Sequence, residues 1–197
     1  MLVSNTNFLG TPVLSVQDGG AIGVVNDYVI DPDSLKIIAL RLSGPGIPIN
    51  NNFLSTISIR EYSSLGIVID STEELVAAND VIKIAEVLGL NFHLIDLRVE
   101  TKQATKLGQV IGFTIDPEGF LIQQIIVRRP LMKRFSDPEL TISRKEIIEV
   151  TDHKIVVKDE EKVLRERAEK EDFIPNFINP FRKTEPGYAP SDTSSDN

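Results

Sequence analysis

Two stretches of this 197-residue chain repeat one another. When the sequence is shifted by 85 positions, Ile22-Gly23-Val24-Val25 falls on Leu107-Gly108-Gln109-Val110, and Ile30-Asp31-Pro32 falls on Ile115-Asp116-Pro117. Further positions coincide in the same register: Ile37, Leu40 and Leu42 fall on Ile122, Ile125 and Val127, Ile57-Ser58 falls on Ile142-Ser143, and Glu61 falls on Glu146. After an insertion of three residues in the second repeat, Ile67-Val68-Ile69 falls opposite Ile155-Val156-Val157. These coincidences predict a structure that contains one unit twice.

Each repeat shows the pattern of short β-strands. Ile38, Leu40 and Leu42 alternate along one face of a predicted strand, as in a half-buried sheet. Asp31-Pro32 and Asp116-Pro117 are typical of the first two positions of a type I turn, so each repeat is predicted to open with a hairpin. Strands of about five residues separated by turns every 8–12 residues favour a small barrel or sandwich over alternating βαβ units.

Helical signals are few. Asn79 or Asp80 is predicted to cap a helix whose apolar positions are spaced by three and four residues and which ends at Gly89. The apolar positions of that helix are Val81, Ile84, Ala85 and Leu88. Ser71-Thr72-Glu73-Glu74 matches a capping box and predicts a short helical turn. Residues 158–172 are rich in strong helix formers and predict an exposed, charged helix.

Composition excludes several classes of protein. The chain has no cysteine, which rules out disulfide scaffolds, zinc ribbons, iron–sulfur clusters and thiol nucleophiles. Its only two histidines are His93 and His153, too few for an imidazole-rich metal site. No apolar run approaches the roughly 18 residues that span a bilayer, and residues 1–5 lack the start of a secretory signal. We therefore expect a cytoplasmic protein.

The repeated segments resemble a known family. Leu9-Gly10-Thr11-Pro12-Val13 followed by residues 20–32 is similar to the opening hairpin of a PRC-barrel. The second repeat resembles the same domain in residues 107–117, Leu140-Thr141-Ile142-Ser143 and Ile155-Val156-Val157-Lys158. The family includes the cytoplasmic part of the photosynthetic reaction centre H subunit and the C-terminal domain of the ribosome maturation factor RimM. The resemblance implies a tandem PRC-barrel protein.

The predicted fold is all-β, with two tandem small PRC-like barrels, a linking helix and a charged C-terminal helix. The first barrel comprises residues 1–78, the linking helix residues 79–92 and the second barrel residues 93–158. Residues 159–182 are assigned to the charged helix and a phenylalanine-rich segment. Residues 183–197 are rich in serine, aspartate and proline and are predicted to be a disordered tail.

Several features that suggest chemistry have simpler structural explanations. Gly23 and Gly108 recur inside strands, where glycine allows a bend or a close backbone approach. Asp31-Pro32-Asp33-Ser34 lacks the further ligands of a calcium loop and is interpreted as a turn. His93 is expected to lie in an apolar strand, bonded to a backbone carbonyl, and His153 in a solvated turn. No nucleophile elbow, phosphate-binding glycine loop or dinucleotide fingerprint occurs. We therefore predict no catalytic, cofactor-binding or metal-binding residue, and a protein that is not an enzyme.

The clearest charge feature follows the third predicted strand of the second repeat. Its candidate partner-binding residues are Arg128, Arg129, Lys133, Arg134 and Phe135. Residues 1–92 carry a net charge of -6, residues 93–158 carry +2 and residues 159–197 carry -4, so the only basic excess lies in the second repeat. These cations could bind RNA phosphates or an acidic protein surface, and a plain solvated loop is the alternative. A second candidate is the segment containing Phe173, Phe177 and Phe181, which either packs on a barrel or binds a partner.

These observations predict a non-catalytic cytoplasmic binding or adaptor protein that docks onto another macromolecule. A protein partner is favoured because the chain as a whole carries a net charge of -8, which repels a polyanion at long range. The alternative is a ribosome assembly or RNA-maturation factor resembling RimM. Peripheral membrane contact is the least favoured interpretation, because no basic amphipathic helix supports it. The sequence leaves the oligomeric state open.

Overall fold

Strands dominate the computed structural model, which describes residues 2–130 and 138–159. β1 (Val3–Ser4) precedes the strands of the first repeat, which are β2 (Pro12–Ser15), β3 (Gly20–Asp31), β4 (Lys36–Ser43), β5 (Phe53–Ser55), β6 (Glu61–Ser63), β7 (Gly66–Ile69) and β8 (Leu75–Val76). The strands of the second repeat are β9 (Arg98–Thr101), β10 (Lys106–Asp116), β11 (Leu121–Arg128), β12 (Glu139–Ser143), β13 (Ile147–Val150) and β14 (Lys154–Val157). The α-helices of the described residues are α1 (Asn5–Phe8) and α2 (Ile82–Gly89). The mainly β architecture expected from the sequence is confirmed.

The two repeats have the same strand order. In the first repeat the order is β4-β3-β2-β7-β6, and in the second it is β11-β10-β9-β14-β13. β2 pairs with β7 in parallel, β9 pairs with β14 in parallel, and the opening hairpins are antiparallel in both repeats. β5 adds to β4 as β12 adds to β11. The duplication inferred from the sequence is therefore reproduced in the topology.

The irregularities of the long hairpins are also duplicated. β3 is bulged against β4 between Val25 and Asp27, and β10 is bulged against β11 at the equivalent Val110 and Gly112. A Cβ atom on Gly23 would lie 2.5 Å from the carbonyl oxygen of Ser43, and one on Gly108 would lie 1.9 Å from that of Arg128. Both glycines therefore permit a close approach of two backbones at the same point of each repeat, which is one of the two structural roles that the sequence left open.

An approximate two-fold axis relates the repeats at the tips of these hairpins. Lys36 of β4 pairs with Leu121 of β11, its own equivalent in the other repeat. The Ile37 N–H donates to the Phe120 carbonyl at 2.8 Å, and reciprocally the Ile122 N–H donates to the Leu35 carbonyl at 2.9 Å. Leu35 and Phe120 both have positive φ, 47° and 54°, and both are buried. Residues other than glycine rarely adopt a positive φ. The burial of Leu35 and Phe120 at the junction therefore stabilises an otherwise costly turn.

One hydrophobic core extends through both repeats. Its fully buried members include Phe8, Leu40, Ile67, Phe113, Ile122 and Ile155. A smaller cluster forms where Ile84 and Val87 of α2 pack on Val29, Ala39 and Phe53 on the other face of the first repeat. The equivalents of Val29 and Ala39 in the second repeat are Thr114 and Gln124, which are hydrogen-bonded at 3.4 Å. Only the first repeat therefore presents an apolar outer face for α2 to cover.

The structure corrects the predicted position of the three-residue insertion. Leu54 lies opposite Leu40, and Ile142 lies opposite Ile125, the equivalent of Leu40. Ile142 is therefore the equivalent of Leu54, and the earlier match of Ile57-Ser58 to Ile142-Ser143 is wrong. The insertion lies between β11 and β12 because that connection can change length without moving Ile142 out of the core.

A bulge also corrects one predicted strand face. Ile37, rather than Ile38, joins Leu40 and Leu42 in the main core. Val29 pairs with Ala39 and Ile30 pairs with Ile37, so Ile38 has no partner in β3. Ile38 packs instead against the cluster beneath α2. A simple alternation of side chains does not survive such a bulge.

The predicted linking helix is present as α2, but both of its ends differ from the prediction. Its N-cap is Val81, and Asp80 lies in the preceding turn, where its carboxylate accepts a hydrogen bond from the Ala77 N–H at 3.3 Å. Gly89 is the last helical residue, and the left-handed conformation falls on Asn91, with φ of 50°. Val87 is buried where Leu88 was expected to be. The turn predicted at Ser71 is confirmed, because its hydroxyl accepts a hydrogen bond from the Glu73 N–H at 3.2 Å.

The remaining predictions fall partly within the described residues and partly outside them. Asp31 to Ser34 form the expected turn, in which the Ser34 hydroxyl donates to Asp31 at 2.8 Å. The charged helix, the phenylalanine-rich segment and the predicted tail lie outside the described residues, apart from Asp159 at the start. Among residues 2–130 and 138–159, no helix has the length and apolar character needed to cross a membrane.

Candidate functional site

The register of the second repeat places basic residues side by side on the outer surface of its sheet. Lys154 of β14 pairs with Arg98 of β9, Arg98 pairs with Gln109 of β10, and Gln109 pairs with Arg128 of β11. Paired residues on neighbouring strands project from the same face. We call this line of four residues the basic row. Arg128 is its predicted member, whereas Arg98 and Lys154 come from strands distant in the sequence.

The buried neighbours of the basic row fix the direction of its side chains. Val99, Val110 and Val127 each lie next to a residue of the row along the chain, and all three are buried in the core. Because side chains alternate along a strand, Arg98, Gln109 and Arg128 point outward, and all three are exposed. Adjacent strands lie about 4.8 Å apart, so the Cα atoms of Arg98 and Arg128 are separated by about 10 Å.

The charges of the basic row are unequally compensated. Lys154 donates a hydrogen bond to the carboxylate of Glu100, and this hydrogen bond together with the charge of Glu100 raises the pKa of Lys154. Within the described part of the chain, no acidic side chain forms an ion pair with Arg98 or Arg128. Glu139 of β12 lies directly opposite Arg128 in the antiparallel pair of β11 and β12. Among the described residues, the guanidinium groups of Arg98 and Arg128 are therefore outside any ion pair.

The equivalent row of the first repeat carries no charge. Val24 of β3 lies between Pro12 of β2 and Ser43 of β4, and Gly66 of β7 occupies the position of Lys154. The same fold thus presents a neutral surface in one repeat and a basic surface in the other. The buried neighbours of the two rows are apolar in both repeats, so at these rows the difference lies on the exposed face.

The other predicted members of the site are only partly described. The Arg129 N–H donates to the Pro138 carbonyl at 3.0 Å, which joins the two ends of the connection between β11 and β12. Arg129 is half-buried rather than fully exposed. Lys133, Arg134 and Phe135 lie outside the described residues. The signal that could have found Arg98 and Lys154 is the basic excess of residues 93–158, but only strand register brings them together.

The two histidines lie outside the basic row. His93 is exposed and uses Nδ1 to donate to the Asn91 carbonyl at 3.0 Å, which confirms the predicted backbone partner. It lies in an irregular segment after α2, however, and the expectation that it lies in a strand is wrong. His153 is exposed in a bend, with Nε2 3.1 Å from the Asp152 carboxylate. Among the described residues, no three His, Asp or Glu side chains are placed to hold a metal ion.

A second surface feature lies near the two-fold axis. Tyr28 of β3 and its equivalent, Phe113 of β10, contact each other edge-to-face with ring centroids 5.4 Å apart. They lie beside a cleft of about 200 Å³ between β3 and the segment that follows α2. Burial raises the pKa of the Tyr28 hydroxyl, a hydrogen bond from the Asn5 side chain partly offsets this, and the Asp27 carboxylate raises it further.

The raised pKa of Tyr28 predicts a loss of stability at alkaline pH. As the pH rises, the unfolded state loses the phenolic proton before the folded state does. The contribution of Tyr28 to folding stability is therefore complete below about pH 10 and is lost as the pH rises through the folded-state pKa. We expect Tyr28→Phe to reduce this decline, since Phe113 shows that phenylalanine fits the equivalent position. Urea unfolding at pH 8 and at several values up to pH 11 measures the effect. Identical pH profiles for the two proteins would contradict the prediction.

Comparison with known proteins adds no assignment to this geometry. A scan against protein-family models found no match, and a search of curated proteins found no significant relative.

Proposed function

We propose that this chain is a non-catalytic adaptor protein, built from two PRC-barrel-like repeats, that docks onto an acidic segment of another protein through the basic row. The observation that carries the proposal is the exposure of Arg98 and Arg128 without an ion-pair partner among the described residues. Arginine suits this role because its planar guanidinium group can bind a carboxylate through two parallel hydrogen bonds.

Charge and surface chemistry favour a protein partner over RNA. The basic row contains no aromatic side chain on which a base could stack, and stacking is a main source of affinity for single-stranded nucleic acid. The net charge of -8 also repels a long polyanion more than a short acidic peptide. The other candidate residues, Lys133, Arg134 and Phe135, follow Arg128 closely in the sequence and lie outside the described residues.

The test compares two labelled probes of equal net charge, a 12-residue peptide rich in aspartate and glutamate and a single-stranded RNA. Binding to the full chain is measured by fluorescence anisotropy at low and at moderate salt. We expect the peptide to bind more tightly than the RNA. We also expect the double variant Arg98→Ala/Arg128→Ala to weaken peptide binding about tenfold, since each exposed charge contact contributes about 0.5–1 kcal/mol.

A matched control separates the basic row from net charge. The double variant Arg60→Ala/Lys145→Ala removes the same charge at exposed positions outside the row and should bind the peptide as the unaltered chain does. Equal weakening by both double variants would show a non-specific charge effect and contradict the proposal. Tighter RNA binding that falls steeply with salt and depends on Arg98 and Arg128 would instead support the RNA-maturation alternative.

Affinity purification from the source cells then identifies the partner. The unaltered chain and the Arg98→Ala/Arg128→Ala variant are compared, each with and without nuclease. A nuclease-resistant partner that is lost with the variant supports docking through the basic row. Ribosomal proteins lost on nuclease treatment would favour the RNA alternative.

A further inference from the structure

The cleft beside Tyr28 lies where the two repeats stop being equivalent. It is bounded on one side by residues 27–30 of β3 and on the other by Leu88 and by residues 91–95 after α2. On this side of β3, β2 pairs only as far as Val24. In the described part of the chain, no further strand pairs with this edge of β3 beyond that point.

The equivalent place in the second repeat is filled by the chain itself. β1 pairs with β10, with Val3 opposite Ile115 and Ser4 opposite Thr114. The Asn5 side-chain oxygen then accepts a hydrogen bond from the Phe113 N–H at 3.1 Å. Val3 and Asn5 are both buried. When it is occupied, this edge thus accommodates a two-residue extended segment and the side chain of the residue that follows it.

The chain does not fill the first repeat in the same way. A shift of 86 positions relates Asn5 to Asn91, just as it relates Phe8 to Leu94, and both Phe8 and Leu94 are buried. Asn5 is buried, but Asn91 is exposed. The Tyr28 N–H, which corresponds to that of Phe113, donates at 2.8 Å to the side chain of its own neighbour Asp27. The cause is α2, because the chain remains helical as far as Gly89 and forms no counterpart of β1 there.

We propose that this cleft binds an extended basic peptide segment of a partner protein, which adds to the edge of β3 as β1 adds to β10. Main-chain hydrogen bonds from residues 28–30 would supply affinity, as in other cases of strand addition. Leu88, which lines the cleft and is 37% exposed, offers an apolar contact for the position that Val3 fills in the second repeat.

Charge selects the class of peptide. Asp27 lines the cleft, and no cation among the described residues forms an ion pair with it. Residues 1–92, which supply most of the lining, carry a net charge of -6 and favour a cationic over an anionic ligand. Residues 159–197 of this chain carry a net charge of -4 and are a poorer match. This site is therefore distinct from the basic row, which selects the opposite charge.

The test is a titration of the ¹⁵N-labelled full chain with the synthetic peptide Lys-Leu-Val-Ser-Asn-Thr-Asn-Phe, followed by NMR. The peptide copies the segment that fills the second repeat and carries lysine in place of the initial methionine. We expect saturable shifts of the amide signals of residues 27–30 and 91–95. A peptide with glutamate in place of the lysine should bind at least threefold more weakly.

Two matched pairs of variants locate the site. Leu88→Lys should weaken binding at least tenfold, whereas Leu90→Lys adds the same charge at an exposed position that does not line the cleft and should have no such effect. Asp27→Asn should remove the preference for the basic peptide, whereas Asp33→Asn, exposed in the hairpin turn, should retain it. The folding of each variant is checked from its NMR spectrum.

Three outcomes would overturn the proposal. The first is the absence of saturable shifts at millimolar peptide. The second is shifts confined to residues outside the cleft. The third is occupation by the chain itself, shown if the peptide binds the cleft only after residues 160–197 are removed. None of these results bears on the binding of an acidic peptide by Arg98 and Arg128.

Discussion

Gly108→Ala is expected to lower the free energy of unfolding by about 3 kcal/mol or more. A Cβ atom at this position would lie 1.9 Å from the carbonyl oxygen of Arg128 and 2.8 Å from its carbonyl carbon. Gly108 also has a backbone φ of 146°, a conformation that residues with a side chain rarely adopt. Since the obstacle is backbone and not a flexible side chain, β10 and β11 must separate to accept the methyl group. Urea denaturation followed by circular dichroism measures the loss.

Gly89→Ala is the matched control for this substitution. Gly89 ends α2, has no atom within 4 Å of the position of an added Cβ, and does not have positive φ. We expect the free energy of unfolding of the Gly89→Ala variant to be unchanged or raised by up to about 1 kcal/mol, because alanine has a higher helix propensity than glycine. Equal stability of the Gly108→Ala and Gly89→Ala variants would show that the close approach of β10 and β11 is not required.

Phe8→Ala is expected to lower the free energy of unfolding by about 3–5 kcal/mol. Phe8 is fully buried, and its ring centroid lies 5.8 Å from that of Tyr62 in the first repeat and 6.2 Å from that of Phe120 in the second. The cavity left by its removal would therefore border both repeats. Because the core is shared, we expect both repeats to lose stability together.

Amide hydrogen exchange distinguishes a shared core from two independent ones. Protection should fall to a similar extent at Ile67 in β7 and at Ile155 in β14, which are fully buried in the first and second repeats. Val16→Ala, at an exposed position in the first repeat, is the control and should change protection little. Loss of protection at Ile67 alone would show that the second repeat folds independently of Phe8.

Much of each repeat could be predicted from local sequence. The Asp31-Pro32 and Asp116-Pro117 turns and the alternating apolar residues around them predicted the hairpins that are observed. The recurrence of Gly23 and Gly108 predicted a structural role, a bend or a close backbone approach, because glycine inside a strand is otherwise destabilising. These features depend on residues near one another in the chain, where turn chemistry and side-chain alternation act directly.

Predictions failed where pairing between strands changed the local pattern. Ile38 was assigned to the core, but it has no partner in β3, so the alternation of β4 changes phase there. The insertion was placed after Glu146, although the pairing of Ile142 with Ile125 requires it before β12. The spacing of apolar residues puts Leu88 on the predicted apolar face of the helix, yet Leu88 is exposed and Val87 packs on the first repeat. In each case a tertiary contact, and not the local pattern, decided which residue packs in the core.

The sequence by itself determined the duplication, the β-strands and their turns, and a basic excess in the second repeat, because these follow from composition, spacing and local turn chemistry. The tertiary structure alone decided which distant residues meet. Arg98 and Arg128 lie thirty positions apart in the chain, and the register of β9, β10 and β11 places them on one exposed face. In the second repeat, β1 pairs with the edge of β10. At the equivalent place in the first repeat the chain forms α2 instead, and this leaves the cleft beside Tyr28. Contacts of this kind depend on long-range packing, which no local pattern encodes.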